Sequence, residues 1–467
     1  MLQIDFVDNT GRCFGDQVGD AALTGGVLDL WTLEWSEEAN EDFSRLSNLL
    51  SQTAGKLQSL IVRDVSQVSP EYLALLTSSC NKTNELRLEE CTLNDAVCAC
   101  LMSSIMHLDG IKALSIERPV NRQGLSAHQA CLLFKGVASS YTLEKLELSV
   151  RLENIEESGK ALAQALQQNR RVKVLKFHTP KLHSSSVLGD IFKAATMNGV
   201  LETLDLGFCL GFCHGGGERR LLSSLLQDCL CREDCSVKTL KLKNVVLDID
   251  TWDDAKQNTS LSTLHLDDAN LTCSQAMSVV KSFKSLKHLN VNHNPFLELN
   301  QLEHLLLEEG CKLESLVVSM KSENSDKHDE WLEFFRKVRR MQSLKRISFP
   351  VTAVAHPERK RTLLESLYVN TKLESTLLMD EKKQFEPDVF GAFCYHFSVP
   401  LSLNRCGRRA LQDHPSNQPL QRNLWPLVLE RAMRLKYYTV RDQWQVPTLR
   451  TRRLDVVYWL LREKLFP

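Results

Sequence analysis

The sequence predicts an α/β solenoid, with short parallel strands on a concave face and helices on the convex face behind them. Three observations carry that expectation. A six-residue apolar pattern recurs twelve times along the 467 residues. Helical periodicity fills the segments between its copies. Both ends of the chain lack the pattern, as expected of an array closed by distinct caps.

The pattern is Leu-x-x-Leu-x-Leu, with Ile, Val or Phe accepted at the apolar positions. It begins at Leu57-Leu60-Val62 and, weakly, Thr83-Leu86-Leu88. It continues at Ile111-Leu114-Ile116, Leu143-Leu146-Leu148, Val172-Leu175-Phe177, Leu201-Leu204-Leu206, Val237-Leu240-Leu242 and Leu261-Leu264-Leu266. The last four are Leu286-Leu289-Val291, Leu313-Leu316-Val318, Leu344-Ile347-Phe349 and a degraded Leu373-Thr376-Leu378. The middle positions lie 24 to 36 residues apart, about 29 on average. The second half of each hexad reads as a short strand, because alternate residues share one side and the Leu-x-Leu pair can face a common interior. Between hexads the period changes. Ala276, Val279, Val280 and Phe283 recur at helical spacing, as do Trp331, Phe334, Phe335 and Val338. Ala161, Leu162, Ala165 and Leu166 follow part of the same rule, and each set is one apolar helix face.

One strand and one helix per repeat of this length define a leucine-rich-repeat solenoid, or horseshoe. The segments Ala161-Leu-Ala-Gln-Ala-Leu-Gln-Gln-Asn169 and Leu201-Glu-Thr-Leu-Asp-Leu206 resemble the ribonuclease-inhibitor-like subclass over residues 55–380. The repeat is degenerate. The Asn/Cys position after the strand is Cys91, Cys209 or Asn294 in three repeats, and Pro119, Arg151, Pro180 or Lys321 elsewhere. Residues 1–54 are expected to form an N-terminal cap, with a strand at Val27 to Trp35 and a helix at Glu41 to Leu50. Residues 381–467 are expected to form a C-terminal cap with a helical tail around Leu403 to Leu411, Leu424 to Ala432 and Leu454 to Arg462. That tail resembles the one ending many leucine-rich-repeat proteins of algae, a likeness that implies no activity.

Bulk properties narrow the classes. Lys and Arg total 57 against 58 Asp and Glu, for a net charge of -1, so no global attraction to nucleic acid or anionic lipid is expected. Met1 to Thr10 carries Asp5 and Asp8 and no apolar core of a signal peptide, and no apolar run reaches membrane-spanning length. The 15 cysteines are odd in number and dispersed, which suits a reducing, cytoplasmic setting, with the nucleus as the alternative.

The chain carries no signature of phosphate-loop, metalloprotease, serine-hydrolase or kinase chemistry. Cys209, Cys213, His214, Cys229, Cys231 and Cys235 cluster without a zinc-binding spacing, so no metal or cofactor is expected. The Gly215 to Arg220 run, in the longest repeat interval, reads as a rim loop. Basic clusters at Arg336 to Arg340, Glu358 to Arg361 and Arg450 to Arg453 lack the interleaved aromatics that would stack on bases.

The polar strand positions are more informative. Inside the Leu-x-Leu pair the central repeats carry Glu147, Lys176, Asp205 and Lys241. At the start of the strand they carry Glu144, Lys173, Glu202 and Lys238. Parallel neighbours about 4.8 Å apart would make each row a ladder of alternating charge. Toward the C-terminal half the ladder is expected to fade into a mixture closer to a protein interface. His265, His288, Asn290, Val317 and Arg346 are therefore candidate partner-binding residues, with Trp425 and Trp459 of the tail as a second apolar surface.

The function expected is a noncatalytic protein-protein interaction scaffold with a protein partner. Ribonuclease inhibitors and Ran GTPase-activating proteins share the architecture, so an enzyme regulator is the competing class. An alternating ladder does not suit an inhibitor of a basic nuclease. Arg118, Arg151, Arg219 and Arg220 lie in loop-like segments, but in no motif that would make one a GTPase-activating arginine. A substrate adaptor of a ubiquitin ligase is the third reading, although residues 1–50 hold no F-box-like segment.

Overall fold

A computed structural model describes residues 3–7, 13–14, 26–31, 57–63, 84–107, 111–117, 124–179, 185–206, 232, 235–243, 259–269, 271–294, 306–307, 311–318, 328–341, 343–370 and 372–379. The chain divides into two compact units, Met1–Ser262 and Thr263–Pro467. In the first unit the strands are β1 (Gln3–Val7), β2 (Cys13–Phe14), β3 (Gly26–Trp31), β4 (Leu57–Arg63), β5 (Glu85–Glu89), β6 (Ala113–Glu117), β7 (Lys145–Ser149), β8 (Val174–His178), β9 (Thr203–Leu206) and β10 (Thr239–Lys243). The second unit holds β11 (Thr263–Asp267), β12 (His288–Asn290), β13 (Ser315–Val317), β14 (Arg346–Pro350) and β15 (Ser375–Met379). Every predicted hexad coincides with one strand from β4 to β15.

Strands β3 to β10 run parallel in sequence order, and so do β11 to β15 in the second unit. The middle apolar residues stack in register, Leu86 on Leu114, Leu146, Leu175, Leu204 and Leu240. In the second unit Leu264 is followed by Leu289, Leu316 and Ile347. All are buried. This is an α/β leucine-rich-repeat solenoid, as the repeat predicts. The expected strand at Val27 to Trp35 is β3, which ends at Trp31; Thr32 to Trp35 lie outside the described residues. So do the helix expected at Glu41 to Leu50 and the whole C-terminal tail. The periodicity did not foretell β1, which pairs antiparallel with both β2 and β3.

Helices α1 (Asp95–His107), α2 (Ala127–Ser139), α3 (Ile155–Gln168) and α4 (Ser185–Met197) back the first sheet. Helices α5 (Cys273–Ser282), α6 (His328–Val338) and α7 (Pro357–Val369) belong to the second unit. Short polar side chains fix the starts of several of them. Ser126 and Gln129 form a reciprocal capping box on α2, and Thr272 and Gln275 form one on α5. Two glycines inside helices have a packing reason. A Cβ on Gly136 of α2 would sit 2.9 Å from Met102 Cα of α1, and one on Gly159 of α3 would sit 2.1 Å from Val187 Cγ1 of α4. Neighbouring helices therefore approach too closely there for any larger residue. In the second unit Trp331, Phe334 and Phe335 of α6 close over Phe349 of β14, with Trp331 and Phe335 centroids 5.4 Å apart.

Buried asparagines tie one repeat to the next. Asn169, the C-cap of α3, donates from Nδ2 to the carbonyls of Val137 (2.6 Å) and Ser140 (3.0 Å) in the preceding repeat. Its Oδ1 accepts from Arg171 and Val172 N–H at the start of the next strand. Asn198 repeats the arrangement, donating to Leu166 and Asn169 carbonyls and accepting from Val200 and Leu201. Asn370 does the same in the second unit with Val338, Met341, Lys372 and Leu373. At the other end of a repeat, Asn294 donates to Leu266 and Val291 carbonyls and accepts from Ala269 and Leu271 N–H. Three residues two places past the last apolar strand position turn left-handed: Glu90 (φ 59°), Asp268 (φ 54°) and His293 (φ 57°). The turn carries the chain out of the strand, directly before Cys91 and Asn294.

Replacing Asn198 with Ala strips partners from four backbone groups, two of them in a neighbouring repeat. We expect a loss of about 2–4 kcal/mol in urea unfolding of the full chain. We also expect faster hydrogen exchange at Leu201. A loss below about 0.5 kcal/mol would mean that water replaces the amide at little cost.

Candidate functional site

Each unit presents one sheet face to solvent, and the two faces differ in how their charges are used. On the first unit the expected ladder is present. Register places Glu147 beside Lys176, Lys176 beside Asp205, and Asp205 beside Lys241. Lys176 pairs with Glu147, and Lys241 Nζ lies 3.6 Å from Asp205. Lys145 joins the same network, 3.1 Å from Glu147 and 3.8 Å from Glu85, which also holds Arg87 at 2.9 Å. His178 Nε2 meets Asp205 at 3.0 Å. In the outer row Lys173 pairs with Glu144 at 3.0 Å and Lys238 with Glu202 at 2.7 Å. Burial pushes the Glu147 carboxyl up, but the ammoniums of Lys176 and Lys145 outweigh it and hold the group below its ordinary range. A ligand docking on this face would have to strip these carboxylates of partners they already have.

The second unit brings five of the predicted residues onto one face. One row runs Thr263, His288, Ser315, Arg346, Ser375 across successive strands. The next runs His265, Asn290, Val317, Ser348. His265, His288, Asn290 and Val317 are half-buried, Arg346 is exposed, and Ser348 is buried. Asn290 Nδ2 donates to His265 Nδ1 at 3.2 Å, while its Oδ1 accepts from Asn292 N–H at 3.0 Å. That arrangement leaves the His265 proton on Nε2. His265 and His288 stand on adjacent strands but in different rows, so the pairing in register is His265 with Asn290 rather than with His288.

One expectation needs correcting. The ladder fades in the second unit only in its inner rows. The outer row keeps the alternation, with Glu314 3.4 Å from Lys287 and 2.8 Å from Lys345. These residues hold one another and are not part of a mixed interface. The Lys345 ammonium, hydrogen-bonded to Glu314, holds that carboxyl below its usual range.

Two other groupings stand on the helix side of the second unit. Donor atoms of His328, His356 and Glu358 lie within 4.8 Å of one another. Arg359 Nε, however, donates to His328 Nδ1 at 3.0 Å, and His328 Nε2 meets Glu358 Oε2 at 3.3 Å. Both ring nitrogens of His328 are engaged, so the cluster acts as a hydrogen-bond relay joining α6 to α7. Between the same helices lies a groove lined by Arg336, Arg339, Glu358, Arg361 and Glu365. Arg336 pairs with Glu333 and Arg361 with Glu365. Of the cysteine cluster only Cys235 is among the described residues, and Trp425 and Trp459 lie outside them. No helix among the described residues is long and apolar enough to cross a membrane.

No protein-family model matches the chain. No curated protein matches it either. Among solved structures the chain is similar to one in the crystal structure of the Rad7 and Elc1 complex in yeast. The identity is 13%, over 74% of this chain and 86% of that one, with a TM-score of 0.35. A likeness of that size carries no argument about function. The class of protein rests on the chain's own repeats.

The environment of His288 sets a pH dependence. Burial lowers its proton affinity; Glu314 raises it, and Arg346, Lys287 and Lys345 lower it further, for a net fall below the ordinary 6.5. The folded state therefore takes the proton less readily than the unfolded chain. The resulting stability is complete above about pH 6.5 and is lost as pH falls through the folded value. The protection factor of the Leu289 amide, which corrects for the slower intrinsic exchange at lower pH, should fall on mild acidification, and His288→Gln should flatten that response. An unchanged slope in the variant would assign the titration to another group.

Proposed function

We propose that the chain is a noncatalytic protein-binding scaffold of the ribonuclease-inhibitor type, and that its protein partner docks on the strand face of the second unit. The observation that carries this reading is the contrast between the two faces. The first unit's face is a mesh of ion pairs, and covering it would desolvate charges that already have partners. The second unit's inner rows replace that mesh with imidazole, amide, hydroxyl, one aliphatic side chain and one guanidinium. Few of these need to be stripped of a charged partner. Protein interfaces are depleted of charged groups at their cores, and arginine is enriched there. The rigid in-register strands supply pre-organisation, since the face requires no ordering on binding.

The test uses the full chain as bait, with quantitative mass spectrometry of what it retains. Val317→Glu places an extra charge in the middle of the second unit's face, and Lys176→Gln alters the first unit's face. Proteins retained by the wild type should fall at least about fivefold with Val317→Glu, a loss of about 1 kcal/mol. Lys176→Gln should leave them unchanged. Equal recovery with Val317→Glu, in a protein that melts normally, would remove this face from consideration.

A further inference from the structure

On the strand faces of both units many charged side chains have an oppositely charged neighbour. In the first unit Arg87, Lys145, Lys173, Lys176, Lys238 and Lys241 each hold a carboxylate. In the second, Lys287 and Lys345 share Glu314. Within the second unit Arg346 departs from this pattern. It is exposed, and its guanidinium has no ion pair or side-chain hydrogen bond among the described residues. Its own row places Ser315 on one side and Ser375 on the other, with His288 beyond Ser315. Two strand spacings separate His288 from Arg346, about 10 Å between backbones. The residue between them is small. The row is therefore a slot with a serine floor, an imidazole at one end and an unpaired guanidinium at the other. On the neighbouring strand Glu314 is already committed to two lysines.

We propose that this slot is an anchor for a carboxylate side chain in an acidic segment of the partner, held by Arg346 and flanked by His288. The inference rests on the strand-face reading above and names the partner's chemistry. Three physical points support it. A guanidinium offers a planar fork of donors that matches a carboxylate, and binding breaks no ion pair of Arg346 among the described residues. Ser315, between His288 and Arg346 in the row, adds a short hydroxyl donor without filling the space. His288 supplies a proton-linked component. The charged groups acting on His288 are Glu314, Arg346, Lys287 and Lys345, and their net effect with burial keeps it neutral at neutral pH. A carboxylate arriving between His288 and Arg346 offsets the cations and favours the protonated ring. Binding then takes up a proton, so affinity rises as pH falls from neutrality toward the lowered range of the free His288 ring.

The probe is a set of short random peptides displayed on phage and selected on the full chain at mildly acidic pH. Selected peptides are then measured by fluorescence anisotropy on the wild type and variants. Supporting results are an Asp or Glu recurring at one aligned position, and a roughly tenfold loss when that residue becomes Asn or Gln. The same change should have no effect on Arg346→Gln, and Arg346→Lys should retain only part of the affinity. His288→Gln should flatten the pH dependence. Arg346 is exposed, so the variants should fold, and matching thermal melts check this. Peptides lacking an acidic position, a selection that enriches nothing, or equal binding to Arg346→Gln would overturn the anchor. Loss of binding with Val317→Glu but not with Arg346→Gln would overturn the anchor alone and leave the strand-face reading standing. Binding indifferent to both variants would overturn both.

Discussion

No repeat of this chain can satisfy its own backbone. A parallel strand needs a neighbour on each side for its N–H and C=O groups, and the segment leaving each helix has polar groups buried against the next repeat. The buried asparagines close that gap. Asn169 and Asn198 each donate twice into the preceding repeat and accept twice from the start of the next strand. One planar amide carries both functions. An aspartate of the same shape would lack the donors, and an aliphatic residue would lack both. Asn294 performs the equivalent task at the strand's exit in the second unit. The apolar layer and the helix spacing are built on this backbone closure, down to the glycines at Gly136 and Gly159.

In-register stacking has an electrostatic consequence. Corresponding residues of successive repeats become neighbours about 4.8 Å apart, so charge alternation along the sequence becomes ion pairing across the sheet. Individually such pairs contribute little where they are exposed. Their larger effect is to occupy the face. Glu147 is enclosed by two ammoniums, and Asp205 lies between Lys241 and His178. The same stacking without alternation leaves Arg346 beside serines. The repeat geometry that neutralises one face exposes a guanidinium on the other.

The legible part of the fold was large, for a physical reason. Strand positions follow from a period of two in apolar residues, and the alternating ladder follows from strand positions plus parallel register. Neither requires knowledge of distant contacts. Five of the seven candidate binding residues share one face on the same logic. The alternation of Lys287, Glu314 and Lys345 is visible only along one row, since each hexad taken whole is a mixture of residue types. Asn169, Asn198 and Asn370 were present as an Asn three places before the first apolar residue of a hexad. That signal becomes recognisable only when the amide's four partners are in place.

By itself, then, the sequence determined where the strands lie, which side chains enter the core and which residues become lateral neighbours. Local periodicity encodes all three. Tertiary structure alone decided which polar groups outside that ladder have partners. Among the described residues it left Arg346 without a carboxylate, set His265 against Asn290 rather than His288, and placed Arg359 on the His328 ring. Pairing depends on side-chain reach between strands or helices roughly thirty residues apart in the chain, and that distance is closed only when the repeats stack.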